Sequence, residues 1–261
     1  MDDIRKYIQE SPQDFFLHKP VKERLSVKKE LDSFCDNPDL CNFLNEVEKG
    51  APFFMLDASN RFLHSYNSFC LCLERVLWGI SVRKRFEKEI KYHPGNKPFS
   101  ARQKEISRRY KETSPYTRLD FQNLIIHTCI LLNRFLEISR IFVEKNTDIN
   151  NLSFTSFSKH KKALKKHDLG PKLEEYQKFI VDQTEWFEIP LKILRDKFLM
   201  HSVEEHMTFL SSPECDHDNL ELIIILHNPI KIVGFNPRRL ALDLRKHLKT
   251  VSKIGLEQIK K

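Results

Sequence analysis

The sequence predicts a mostly α-helical chain, on three observations. Apolar residues recur at three- and four-residue steps over several long stretches. Only 6 Gly occur in 261 residues, which argues against a turn-dense β fold and against a glycine-rich nucleotide loop. Hydrophobic residues make up 40%, with 20 Phe, enough to build a sizeable core and to argue against wholesale disorder. The expected architecture is an up-and-down helical bundle with a small C-terminal β-hairpin and a final helix. The bundle domain is expected over residues 1–210, with a basic insertion near 93–113. Residues 211–261 would form a hairpin-plus-helix appendage.

Taken in order, the first twenty residues are polar, with Pro12 and Pro20 as breakers. A first helix is expected from Val21 to Glu48, interrupted near Pro38 and ended by Gly50-Ala51-Pro52. Ala58, Phe62, Tyr66, Phe69, Leu73, Leu77 and Ile80 predict a long second helix that ends basic, through Arg83-Lys84-Arg85 to Tyr92. His93-Pro94-Gly95-Asn96 reads as a loop, and residues 96–112, basic and poorly periodic, as a mobile insertion. Ser114-Pro115 has the pattern of a helix start. The stripe that follows, from Phe121 to Val143, is widened by Cys129, Ile130 and Leu131, so this helix is expected to be buried on more than one side.

A shorter helix is expected from Phe154 to His167, closed by Gly170-Pro171, and another from Leu173 to Glu188 that Pro190 kinks or restarts. Ser211 to Asn219 reads as a loop, and Leu222 to Leu226 with Ile230 to Val233 as a hairpin. Asn236-Pro237 starts a final helix to about Gln258.

The stretch with chemical content is Leu191 to His201. Leu191, Leu194 and Phe198 share one side, and Arg195 lies on it, where a charge is costly unless partnered. On an ideal α-helix Arg195 and His201 are about 120° apart around the axis and about 9 Å along it, so they converge only across a shared groove or a distorted helix. Glu188, Lys192 and Asp196 form a separate row at four-residue steps that can pair charges.

This stretch resembles the Arg-x4–6-His motif of the HEPN superfamily, small helical bundles found in toxins, antiviral proteins and RNA-processing enzymes. Five residues separate the pair here, and a polar Asp196 follows the Arg. Ile138-Ser139-Arg140-Ile141-Phe142 to Asn151-Leu152-Ser153-Phe154 is similar to the corresponding helix end and following helix of the abortive-infection-like branch. Met200 stands where a small residue is usual in that branch. The similarity covers roughly residues 55–205.

The resemblance implies metal-independent RNA cleavage at a homodimer interface, in defence or stress, with no cofactor. Arg195 would stabilise charge on the scissile phosphate. His201 would move a proton to or from it, and Asp196 would orient Arg195. The alternative for the motif is an internally paired Arg195 and a His201 that favours a helix C-terminus.

Other signals are weaker. The formal charge of +8 favours anionic partners such as RNA, and His160-Lys161-Lys162-Ala163-Leu164-Lys165-Lys166-His167 is a dense basic patch. Lys161, Lys162, Lys165 and Lys166 are its candidate RNA contacts; a solvated helix face is the plainer reading. His201, His206, Cys215 and His217 are separated by five, nine and two, which fits no standard zinc site, so no metal is expected. The six Cys, at 35, 41, 70, 72, 129 and 215, read as reduced core thiols. No stretch is apolar enough to span a membrane and no secretory leader is seen, so the expected location is the cytoplasm. Expected partners are RNA, a second copy, and an antitoxin or other protein. A non-catalytic helical protein-interaction module and a plain nucleic-acid binder are the rival functions.

Overall fold

The computed structural model describes residues 22–50, 53–91, 95, 97–147, 152–199, 206–209, 222–227 and 230–260. They are mostly helical, as the apolar periodicity requires. Among them no helix is long and apolar enough to cross a membrane.

Helix α1 (Lys22–Cys35) and α2 (Pro38–Gly50) are separated where Pro38 was expected to interrupt them. Pro38 takes the first helical position, and the Asn37 side chain accepts a hydrogen bond from the Leu40 N–H at 3.3 Å. Helix α3 (Phe53–Phe86) runs into a π turn at Glu87–Lys91. It then lies antiparallel to the 46-residue α4 (Ala101–Asn146). Phe62 meets Phe135 toward one end of this pair, at 5.3 Å between ring centroids. Arg75 pairs with Asp120 at 2.8 Å in the middle, and Phe86 stacks on Tyr110 at 4.1 Å at the other end. Gly79 permits the crossing: a Cβ there would sit 2.5 Å from Thr117 Oγ1.

The unit of residues 101–146 corrects two expectations. The basic stretch near 93–113 is not an insertion from residue 101 onward, and Ser114-Pro115 does not start the helix. The start is Ser100, whose hydroxyl accepts from the Gln103 N–H while the Gln103 side chain accepts from the Ser100 N–H. Little apolar periodicity is needed here because the charges pair along the helix. Glu105 binds Arg108 and Arg109, Arg108 also binds Glu112 at 2.9 Å, and Arg102 reaches Glu89 in the π turn after α3.

Helix α5 (Phe157–Leu164) and α6 (Glu174–Asp182) follow, linked through Gly170, whose φ of 80° suits only glycine without strain. Two π segments, Phe187–Lys192 and Leu194–Leu199, follow, the second carrying Arg195 and Asp196. Three strands, β1 (His206–Phe209), β2 (Leu222–His227) and β3 (Ile230–Phe235), pair antiparallel along the backbone in the order β1-β2-β3. Residues 211–219 lie outside the described residues. Asn236 caps α7 (Pro237–Ile259) by accepting from the Arg238 and Arg239 N–H groups.

Helix α7 is not an appendage. Its Leu240, Leu244, Leu248, Val251 and Ile254 belong to the same core as Phe43, Phe62, Phe135 and Phe142. Full burial of a leucine such as Leu244 or Leu248 stabilises by about 1.5–3 kcal/mol relative to exposure, so α7 is part of what holds the bundle together.

Candidate functional site around Arg195

The site begins with a break in the helix. Pro190 forces its predecessor toward extended backbone, and Ile189 duly adopts φ −134°, ψ 115°. The chain resumes as π turns, anchored by Leu191 and Leu194, both wholly buried. The wide turns mean that the α-helical offset expected between Arg195 and His201 does not hold over Leu194–Leu199; such π turns are frequent at functional sites.

Arg195 and Asp196 are each about one-third exposed, with side-chain accessibilities of 31% and 37%. The guanidinium forks onto one carboxylate oxygen, with Nε and Nη2 at 2.7 and 2.6 Å from Asp196 Oδ1. Its other neighbour is the thiol of Cys129 on α4, which burial pushes up to about 11 while the Arg195 charge acts in the opposite direction. Arg195 therefore has the partner its position demands and stays at the surface. His201 lies outside the described residues.

Asp196 lines a groove of about 550 Å³ with Lys161, Lys165, Asp182, Glu185, Glu188, Lys192 and Ile193. The row Glu188, Lys192, Asp196 thus faces one space, joined by lysines from α5. Three lysines and four carboxylates make the groove mixed in sign.

The basic patch does not present itself as one face. Phe157, His160, Lys161 and Leu164 form the inward side of α5. Lys161 is 2% exposed; its ammonium donates to the Thr184 carbonyl at 3.1 Å and lies 3.9 Å from Glu188. Burial lowers its affinity for a proton, and Glu188 works against that. It is thus corrected from an RNA contact to a buried structural cation, because the α6–π junction supplies a carbonyl and a carboxylate where α5 docks. His160 is held between the Ser153 carbonyl at 2.9 Å and the Tyr176 hydroxyl at 3.0 Å, and burial takes it down to about 4. Lys162, Lys165 and Lys166 are exposed. The signal was present in the sequence: positions 157, 160, 161 and 164 follow the inward steps of a helix.

A second surface feature was not anticipated. Of the three residues expected to widen the buried side of α4, Cys129 and Leu131 are buried, whereas Ile130 is 37% exposed. With Tyr116 at 45%, Leu119 at 52% and Ile126 at 39%, it forms an uncovered apolar stripe. These residues follow steps of three, seven and four, the repeat of a seam that packs on another helix. The stripe borders Cys129, the residue against which Arg195 rests.

Among the described residues, no group of three or more His, Cys, Asp or Glu side chains is gathered as a metal ion would need. Compared with known protein families, curated proteins and solved structures, the chain matches none.

Proposed function

We propose that this chain is a HEPN-like RNA-binding protein and a metal-independent endoribonuclease of cytoplasmic defence or stress, with Arg195, Asp196 and His201 as its catalytic residues. The observation that carries the reading is the Arg195–Asp196 pair: oriented by a short charge-assisted contact, about one-third exposed to solvent, and set on a widened turn beside a groove. An arginine needed only for packing would be buried, whereas Arg195 keeps about a third of its side chain accessible. Arg195 stabilises charge on the scissile phosphate, and His201 transfers the proton, the role imidazole commonly takes in acid–base chemistry.

Lys162, Lys165 and Lys166 supply sequence-independent phosphate contacts. The α4 stripe is the surface for a second copy, which brings two motifs together, or for an antitoxin. In this reading the strands over 222–235 form a hairpin carried by an up-and-down bundle.

The test is cleavage of single-stranded RNA by the full chain in EDTA. Wild-type protein yields products ending in 2′,3′-cyclic phosphate. Arg195→Ala and His201→Ala each lower the rate about 10²- to 10⁴-fold with unchanged melting temperature, and the double variant is little worse than either. The apolar stripe favours a second reading, a non-catalytic protein-interaction module. That reading takes over if wild-type protein cleaves nothing and Arg195→Ala lowers the melting temperature sharply.

A further inference from the structure

Two thiols on different helices lie within contact of each other. Cys35 ends α1 and is exposed; Cys70 is buried in α3; their sulfurs are 3.7 Å apart. The chain segment between them spans 35 positions, so the contact is made by the fold and not by local sequence. Phe34, beside Cys35, packs on Phe69 at 5.3 Å and on Tyr66 at 5.9 Å, which fixes the end of α1 against α3. A disulfide bond is about 2.0 Å long, so the sulfurs need to approach by about 1.7 Å to bond. The Cys70 thiol and the Tyr66 hydroxyl hold the Cys35 thiol down to about 7, while burial and the Cys35 neighbour push Cys70 well above the ordinary thiol range. The pair is therefore asymmetric, with one accessible thiolate and one protonated reserve.

We propose that Cys35 and Cys70 form a reversible redox modification site, in which a hydroperoxide oxidises Cys35 and Cys70 closes a disulfide that clasps α1 to α3. The Cys35 thiolate attacks the outer peroxide oxygen. An S–O bond forms, the O–O bond breaks, and the departing oxygen takes a proton to leave as an alcohol or water. Cys70 then gives up its proton and attacks the Cys35 sulfur of the sulfenic acid. The S–S bond forms, the S–O bond breaks, and hydroxide leaves with the proton as water. Overall two thiols lose two electrons and the peroxide gains them. A dithiol reductant reverses the step by thiol–disulfide exchange.

The experiment treats the full chain with a few equivalents of hydrogen peroxide, blocks free thiols, and maps peptides without reduction. The expected result is a single linkage joining Cys35 to Cys70. The melting temperature should rise by about 5–10 °C and return after dithiothreitol. Cys41 is a third thiol near Tyr66 and serves as the control. Cys41→Ser keeps both effects, whereas Cys35→Ser, at an exposed position, loses both while its reduced form melts like the wild type. Cys35 found as sulfinic acid, linked to Cys41, or linked to a second chain overturns the proposal, as does a Cys35–Cys70 linkage that leaves the melting temperature unmoved.

Discussion

Lys161 shows how one side chain in a basic run can serve the fold while its neighbours serve the surface. Its stem crosses the interface between α5 and the segment after α6, and its ammonium finds the Thr184 carbonyl at 3.1 Å. Removing it leaves that carbonyl with the Phe187 N–H alone and leaves Glu188 without a buried counter-ion. Lys161→Met is expected to lower stability by about 1–2 kcal/mol, read as a lower urea midpoint at unchanged slope. Lys166→Met should leave the midpoint in place and weaken RNA binding, with a shallower dependence on salt. An unchanged midpoint for Lys161→Met would place its ammonium in solvent. At Arg195 and Asp196 the sequence was informative at this scale, since adjacency and a costly inward position already required a partner. Asp196 was the partner the resemblance implied; that the pair stays about one-third exposed, with Cys129 beside it, depended on the fold.

At the scale of elements, α7 decides whether the bundle closes. Its inward face meets the aromatic core so closely that Gly255 has no room for a side chain. A Cβ there would lie 2.5 Å from Phe43 Cε2 and 3.0 Å from Phe142 Cδ1. Both rings are fully buried and cannot retreat freely. Alanine gains up to about 1 kcal/mol of helix propensity over glycine, whereas overpacking a core costs about 1–3 kcal/mol. The steric cost should win, and Gly255→Ala is expected to unfold at a lower temperature than the wild type. A higher melting temperature would mean that α7 docks loosely and that the appendage description was the better one. The same helix carries Leu242, 59% exposed on the opposite side, where alanine should matter little.

At the scale of the whole molecule, two imidazoles among the described residues are buried, and together they make its stability sensitive to acid. His247 is enclosed by the rings of Phe135, Phe157, Phe179 and Trp186, at 5.3 to 6.3 Å between centroids, and its Nδ1 is buried without a hydrogen-bond partner. Burial pushes it down to about 3, and His160 down to about 4. Both are neutral in the folded state, while the unfolded chain takes up their protons from about 6.5 downward. Between 6.5 and about 4 the unfolded state thus holds more protons, and stability falls as pH falls. The slope is up to about 1.4 kcal/mol per pH unit for each histidine. Glu89 and Glu105, held low by arginines, add to the loss once pH falls through the ordinary carboxylate value of 4.5, where the unfolded chain begins to take up their protons. Urea midpoints measured from pH 7 to 4 should decline throughout, and His247→Leu should flatten the decline. A flat wild-type profile would show that neither imidazole is buried neutral.

The sequence by itself determined the helical class, the break at Pro38, the cap at Asn236, the perturbation at Pro190 and the inward stripes. Each of these depends on residues within a turn or two of one another: a capping side chain, a proline ring, a repeat of apolar positions. Only the tertiary structure decided that α7 enters the core, that Ile130 stays exposed, which groups Lys161 and His160 meet on the inward side of α5, and that Cys35 meets Cys70. Periodicity marks a face as suited to burial, but what covers it arrives from elsewhere in the chain. Thr184 lies 23 positions from Lys161, and Cys70 lies 35 from Cys35. A charge or a thiol changes its chemistry when such a distant carbonyl, carboxylate or sulfur comes within a few ångströms of it. That proximity is a property of the packed chain and is not written in any local pattern.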